Sequence, residues 1–137
     1  MKTIITIDKF RDRVVRFQKG VESAYHHLED IEAAIAQVGE MYPAIPAESW
    51  QDRNGKGRYL YMLFPSNGNG AYTGPDGKRK LYVGNKPERI EAARRLAANR
   101  RRYEELQRAR RNLRYWIDAR NRMLLSEIQM YPYPSAF

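Results

Sequence analysis

The sequence predicts an α+β protein that is mostly helical, a long antiparallel helical hairpin (coiled coil) with a small antiparallel β-hairpin or sheet inserted between its two helices. Three observations predict it. Residues 10–42 repeat apolar side chains at coiled-coil spacing, residues 49–84 turn to aromatic and branched side chains cut by glycine-rich turns, and residues 86–122 are strong helix formers without a break. At 137 residues the chain is read as a single elongated domain, 1–137, with little room for a second core.

Composition narrows the function classes. Lysine and arginine number 25 against 16 acidic residues, for a net charge of +9, and the sequence pI is near 9.9. Such a balance favours a polyanionic partner, nucleic acid first and an anionic membrane surface second. Cysteine is absent, which excludes disulfides and thiolate metal sites. No run of 18 apolar residues occurs, and the apolar stretch in MKTIITIDKF is too short for a signal peptide, so a cytoplasmic setting is expected.

The chain opens with the β-branched lead MKTIITI, read as a strand that adds to a sheet or as an apolar plug. Asp8 is positioned to cap a first helix over 8–38. Within it Phe10, Val14, Phe17, Val21, Ala24, Leu28, Ile31, Ile35, Val38 and then Tyr42 recur at alternating steps of four and three, an unbroken heptad seam. The segment Met1–Tyr42 has a net charge of −1, which makes it a packing element. The seam can cover the second helix of the same chain or pair with a second copy in a homo-oligomer.

Gly39 and the two prolines of MYPAIPAESW end the helix and predict a stiff, extended connector. An inserted β-hairpin over 49–84 follows. Its strands are read at Arg58–Phe64 and Lys78–Val83, with a third strand near Ser49–Asp52 extending it, and the Ser66–Gly77 connection reads as a flexible finger tip. Alternation places Leu60, Met62 and Phe64 on one face with Leu81 and Val83, packed on the following helix at Ile90 and Ala93. The opposite face then presents Tyr59, Tyr61, Lys80 and Tyr82, with Arg58, Lys78 and Arg79 at its edge.

The second helix is predicted over 87–129. Pro87 stands at its first position, with Glu88 and Glu91 in the first turn. At about 1.5 Å per residue it would be on the order of 60 Å long, so it must lie along something. Its apolar stripe includes Ile90, Ala93, Leu96, Ala97, Tyr103, Leu106, Leu113, Trp116, Ile117, Leu124 and Ile128. Between Lys86 and Arg122 thirteen cations, twelve of them arginine, face five carboxylates. The planar guanidinium binds phosphate bidentately and stacks on bases. Arg94, Arg95, Arg100, Arg101, Arg102, Arg108, Arg110, Arg111 and Arg114, with Arg58, Lys78, Arg79 and Lys80 of the hairpin, are therefore candidate nucleic-acid-binding residues, and Tyr59, Tyr61 and Tyr82 candidate base-stacking residues. The plainer reading is a solvated helix face with pairs such as Glu91–Arg95 and Glu104–Arg108, and tyrosines that only cover a small sheet. The tail MYPYPSAF, 130–137, reads as extended, either docked back on the protein or frayed.

Arg58-Tyr59-Leu60-Tyr61, then Gly77-Lys78-Arg79-Lys80-Leu81-Tyr82-Val83-Gly84, then the helix from Pro87 to Ala98 resemble the three-stranded-sheet-plus-helix modules of integrase arm-binding domains and of small uncharacterised proteins of phages and mobile elements. The resemblance covers about Trp50–Ala98. It implies a sheet laid in the DNA major groove. The long Ser66–Thr73 insertion and the surrounding coiled coil depart from that pattern.

Catalytic motifs are missing. His26 and His27 are adjacent and fall on different helix faces, and Glu22, His26 and Asp30 at helical spacing read as solvated surface, so no metal is expected. The glycines of RNGKGR and SNGNGAYTG lack nucleotide-loop spacing, and no serine has an evident base, so neither cofactor nor enzymatic activity is expected. The sequence thus points to a non-enzymatic nucleic-acid-binding accessory protein of a phage or mobile element, acting on DNA, RNA or a nucleoprotein. The alternative is a structural or inhibitory interaction protein, such as a virion component or an inhibitor, docking on an acidic protein or ribonucleoprotein surface. Membrane-surface binding is disfavoured because the apolar stripe is committed to the first helix.

Overall fold

The computed structural model describes residues 7–130, with side chains over that range except those of residues 7, 8, 10 and 127–130. Two long helices are separated in sequence by a three-stranded antiparallel sheet. The order is α1 (Ile7–Gln37), β1 (Ala47–Asp52), β2 (Arg58–Leu63), a 3-10 turn (Pro75–Gly77), β3 (Lys80–Gly84) and α2 (Pro87–Met130). The fold is α+β and mostly α, as the sequence predicts. Contacts gather into two units: a sheet unit, Ile35–Leu106, and a helix-pair unit formed by the remaining parts of α1 and α2. The MKTIITI lead over residues 1–6 and the tail over residues 131–137 lie outside the described residues.

In the sheet unit the strands run β1-β2-β3, each pair antiparallel. The expected third strand is thus real and forms one edge, two residues longer at its start than the sequence reading placed it. Asn54 and Gly55 both take positive φ (54° and 69°), the conformation that a two-residue hairpin needs to match strand twist, and the Lys56 N–H closes the turn on the Arg53 carbonyl at 3.1 Å. Leu60, Met62, Phe64 and Val83 turn inward onto Ala93 and Ala97 of α2, with Leu81, Ile90 and Leu96 at the margin. Alanines one turn apart let the sheet approach the helix closely. Leu60 and Met62 are fully buried.

Tyr42 corrects one sequence expectation. It continues the heptad spacing, yet α1 ends at Gln37, one residue before Val38 and well before Tyr42. Tyr42 instead belongs to the connector and completes the sheet core, its ring 5.3 Å from Phe64 and nearly perpendicular to it. Burial raises its hydroxyl pKa above the ordinary value. The connector is fastened to α2 at two points: the Asn99 amide donates to the Glu40 carbonyl (2.8 Å) and the Tyr42 N–H donates to the Leu96 carbonyl (3.4 Å).

The Ser66–Gly77 connection, expected to be a flexible finger, is densely hydrogen-bonded. Thr73 donates to the Pro65 carbonyl through both Oγ1 (2.8 Å) and its backbone N–H (3.0 Å), and Ser66 pairs with Tyr72 in an isolated bridge. Gly74 is the pivot. A Cβ there would stand 1.9 Å from the Lys78 carbonyl oxygen and 2.8 Å from the Phe64 ring, so only glycine fits. Where β3 pairs with β2 the register shifts between Leu60 and Tyr61, and Gly84 relieves the bulge with φ of 105°. α2 begins one residue after Lys86, whose carbonyl accepts from the Arg89 and Ile90 N–H groups, so Pro87 sits where its missing N–H costs nothing.

In the helix-pair unit the two helices run antiparallel, Glu32 meeting Arg114 while Phe17, farther back on α1, lies beside Leu124. The α1 seam from Val14 to Ile31 faces inward, but among the described residues only Ala24 on α1 and Ile117 on α2 are buried within this unit. Asp8, expected as the cap, lies in the first turn of α1.

Candidate nucleic-acid interface

The sheet has one covered face and one open face. Strand alternation and the observed register place Ser49 and Gln51 of β1, Tyr59, Tyr61 and Leu63 of β2, and Lys80 and Tyr82 of β3 on the side away from α2. No carboxylate is among them. The two carboxylates of β1, Glu48 and Asp52, fall on the opposite parity.

Three tyrosines form the centre of the open face. The Tyr82 ring lies 5.4 Å from Tyr61, edge to face, and 6.1 Å from Tyr59, tilted. Two cations sit on this cluster. The Arg53 guanidinium is 4.9 Å from the centre of the Tyr82 ring, and the Lys80 ammonium is 4.7 Å from that of Tyr61 while donating to Gln51 Oε1 at 2.5 Å. With ring faces partly covered by cations and by one another, and the Tyr59 hydroxyl donating to the Lys56 carbonyl at 3.5 Å, the surface offers the hydroxyls of Tyr61 and Tyr82, a guanidinium and an ammonium. These are donors suited to phosphate oxygens and to acceptors on groove edges.

The other basic residues of the hairpin lie around this face. Arg79 stacks over Tyr72 at 5.8 Å; Lys78 is exposed at the end of the 3-10 turn, since β3 starts at Lys80 and not at Lys78 as expected, and Arg58 is exposed at the start of β2 on the parity of Asp52, opposite the tyrosines. Arg53 and Gln51 were not singled out by sequence. Arg53 reads there as part of a glycine-rich turn, and the Asn-Gly signal that fixes the turn's shape was the only cue that its neighbour would fold back over β3.

The arginines of α2 divide into engaged and open groups. In the sheet unit Arg94 donates through Nε to Glu48 Oε1 (2.7 Å) and through Nη2 to Oε2 (3.1 Å), a bidentate pair that lowers the Glu48 pKa and raises that of Arg94. Arg100 pairs with Glu104 at 3.1 Å and lies over Tyr103. Glu104 thus reaches back to Arg100, where the sequence spacing equally allowed Arg108. Arg95 approaches Glu91 only at 3.9 Å. Arg101 and Arg102 are exposed and form no ion pair among the described residues. In the helix-pair unit Arg110 donates to Gln107 and Arg114 to Glu32, while Arg108 and Arg111 are exposed and in no ion pair among the described residues.

Position on the helix decides what these arginines can reach. Ala93 and Ala97 face the sheet, so helical spacing turns Arg95 and Arg102 directly away from it, and Arg94 and Arg101 to the flank beside β1. The tyrosine face and the outermost arginines of the sheet unit therefore point in opposite directions.

No family model matches the sequence, and no curated protein or solved structure matches it. Among the described residues no group of three histidine, aspartate or glutamate side chains converges to hold a metal ion, and no helix is long and apolar enough to cross a membrane.

Proposed function

We propose that this chain is a non-enzymatic nucleic-acid-binding accessory protein, of the kind carried by phages and mobile elements, working in the cytoplasm. The observation that carries the proposal is the open sheet face: three clustered tyrosines, Arg53 and Lys80, no carboxylate, and a rigid backing on α2. A face built only to be covered by water has no need of three aromatic rings with two cations held against them.

In this reading the sheet lies on a duplex or a structured RNA helix, where Arg53, Lys80 and the tyrosine hydroxyls meet phosphates and groove edges. The resemblance to integrase arm-binding modules supports the same placement. Arg95 and Arg102 hold a separate stretch of backbone, because they point away from the tyrosines, and Arg101 extends that contact along the β1 flank. A second reading, docking on an acidic protein or ribonucleoprotein surface, is favoured by the cations already occupying the ring faces, since they leave less aromatic surface for unpaired bases.

Electrophoretic mobility of duplex DNA, single-stranded DNA and folded RNA tests this with three proteins: wild type, the sheet variant Arg53→Glu/Lys80→Glu, and the helix variant Arg101→Glu/Arg102→Glu. The proposal expects salt-sensitive binding by the wild type, its near loss in the sheet variant and a partial loss in the helix variant. Absence of binding to every probe would move the assignment to the protein-docking reading.

A further inference from the structure

The helix-pair unit leaves an apolar groove open along one side. Its floor is Gly20, Ala24 and Ile31 of α1 against Ala109, Leu113 and Trp116 of α2, and it continues past Phe17 toward Leu124. The Trp116 ring lies over Gly20 with room to spare, a Cβ on Gly20 finding its nearest neighbour 3.9 Å away. Seam residues Val14, Phe17, Val21, Leu28 and Ile31 stay half-buried, and the groove-lining Trp116 and Met123 are 36% and 58% exposed. Two helices alone do not bury this apolar surface.

The charge along α1 says what covers it. Residues 9–19 carry Lys9, Arg11, Arg13, Arg16 and Lys19 against Asp12, whereas residues 20–34 carry Glu22, Glu29 and Asp30, with Glu32 already held by Arg114 of α2, and no lysine or arginine. One half of the helix is basic and the other acidic, about a midpoint near Gly20 and Ser23. That pattern is complementary to itself only when reversed, the requirement of a two-fold contact.

We propose that the groove is the seat of a second copy of this chain, whose α1 runs antiparallel to the first and crosses it near Gly20 and Ser23. Each basic half then lies beside the acidic half of the other protomer, and the two helix pairs close into a four-helix bundle. The inference is independent of nucleic-acid binding.

Sedimentation equilibrium of the nuclease-treated full chain at micromolar concentration tests it, with the expected mass twice the monomer's 16.1 kDa. Because the chain lacks cysteine, single substitutions report orientation. Mild oxidation is expected to cross-link Ser23→Cys with itself and to leave Arg13→Cys uncross-linked, since the antiparallel crossing separates the two copies of position 13. Charge gives a third readout. Arg13→Glu/Arg16→Glu and Glu29→Lys/Asp30→Lys are each expected to dissociate at least tenfold more readily, and an equimolar mixture to recover the dimer. A monomeric wild type, cross-linking of Arg13→Cys, or a mixture no tighter than its components would each overturn the proposal.

Discussion

The sheet unit and the helix-pair unit solve the packing problem differently, although α2 runs through both. In the sheet unit the centre is closed: Leu60 and Met62 are fully buried between β2 and α2, Tyr42 and Phe64 close one end, and the connector is hydrogen-bonded to the helix, while Trp50 on the edge strand β1 stays 42% exposed. In the helix-pair unit a longer and more regular apolar seam buries, among the described residues, only Ala24 and Ile117. A sheet on a helix makes a closed layer from few residues, whereas two helices touch along one line and leave both flanks open. Regularity of pattern is therefore a poor guide to self-sufficiency. The ragged insert is the better-packed unit, and the perfect heptads are the unfinished one.

Substitutions that break this contrast can be ranked. Met62→Ala, at a fully buried position, is expected to cost about 2–5 kcal/mol in chemical denaturation. Leu28→Ala on the half-exposed seam should cost about 1 kcal/mol or less in dilute protein, with a larger loss once concentration favours association. Equal costs at both sites would erase the distinction. Gly74→Ala comes next, because the new Cβ would collide with backbone: at least about 2 kcal/mol is expected, together with a shifted chemical environment at Phe64 in NMR. Gly84→Ala forces a side chain to φ of 105° and should cost about 1–2 kcal/mol.

The smallest effect belongs to the Glu48–Arg94 pair. Glu48 has its pKa lowered in the folded protein, chiefly by the Arg94 hydrogen bond, so its contribution is present above the unfolded carboxylate value near 4.3 and is lost as pH falls through the lower folded value. Glu48→Gln should therefore cost under about 1 kcal/mol at neutral pH, because the pair is well exposed, and should flatten the stability profile only on the acid side. Denaturation midpoints from pH 3 to pH 7 check the sign.

Much of this architecture was legible in the sequence because its signals are local. Pro87 with acidic first-turn residues marked the start of α2, the four-three spacing marked α1, and alternation in RYLYML and KLYV assigned both faces of the sheet. What escaped depends on long-range geometry. Tyr42 kept the heptad rhythm by coincidence, and only the Pro43 and Pro46 connector decides that it fills the sheet core. The Ser66–Gly77 loop looked loose from its glycines and asparagines, but its order comes from Thr73 and Gly74 meeting Pro65 and Phe64. At the candidate site Tyr59, Tyr61, Lys80 and Tyr82 were found by alternation. Arg53 was not, since its place over Tyr82 depends on a turn and a strand pairing. Nor does charge counting reveal which arginines are already held: among the described residues Arg94, Arg100 and Arg114 are paired with carboxylates, and Arg101 and Arg102 are not.

The most direct measurement is the salt dependence of binding, with fluorescence anisotropy of a labelled duplex titrated by the wild-type protein between 50 and 200 mM salt. If the tyrosine face and the open arginines together neutralise about 6–10 phosphates, affinity falls by roughly a thousandfold or more over that range. The slope should lose about one unit when Lys80 alone is replaced by alanine. An affinity that ignores salt, or a slope unchanged in Lys80→Ala, would contradict the assignment of the open sheet face to a nucleic-acid backbone.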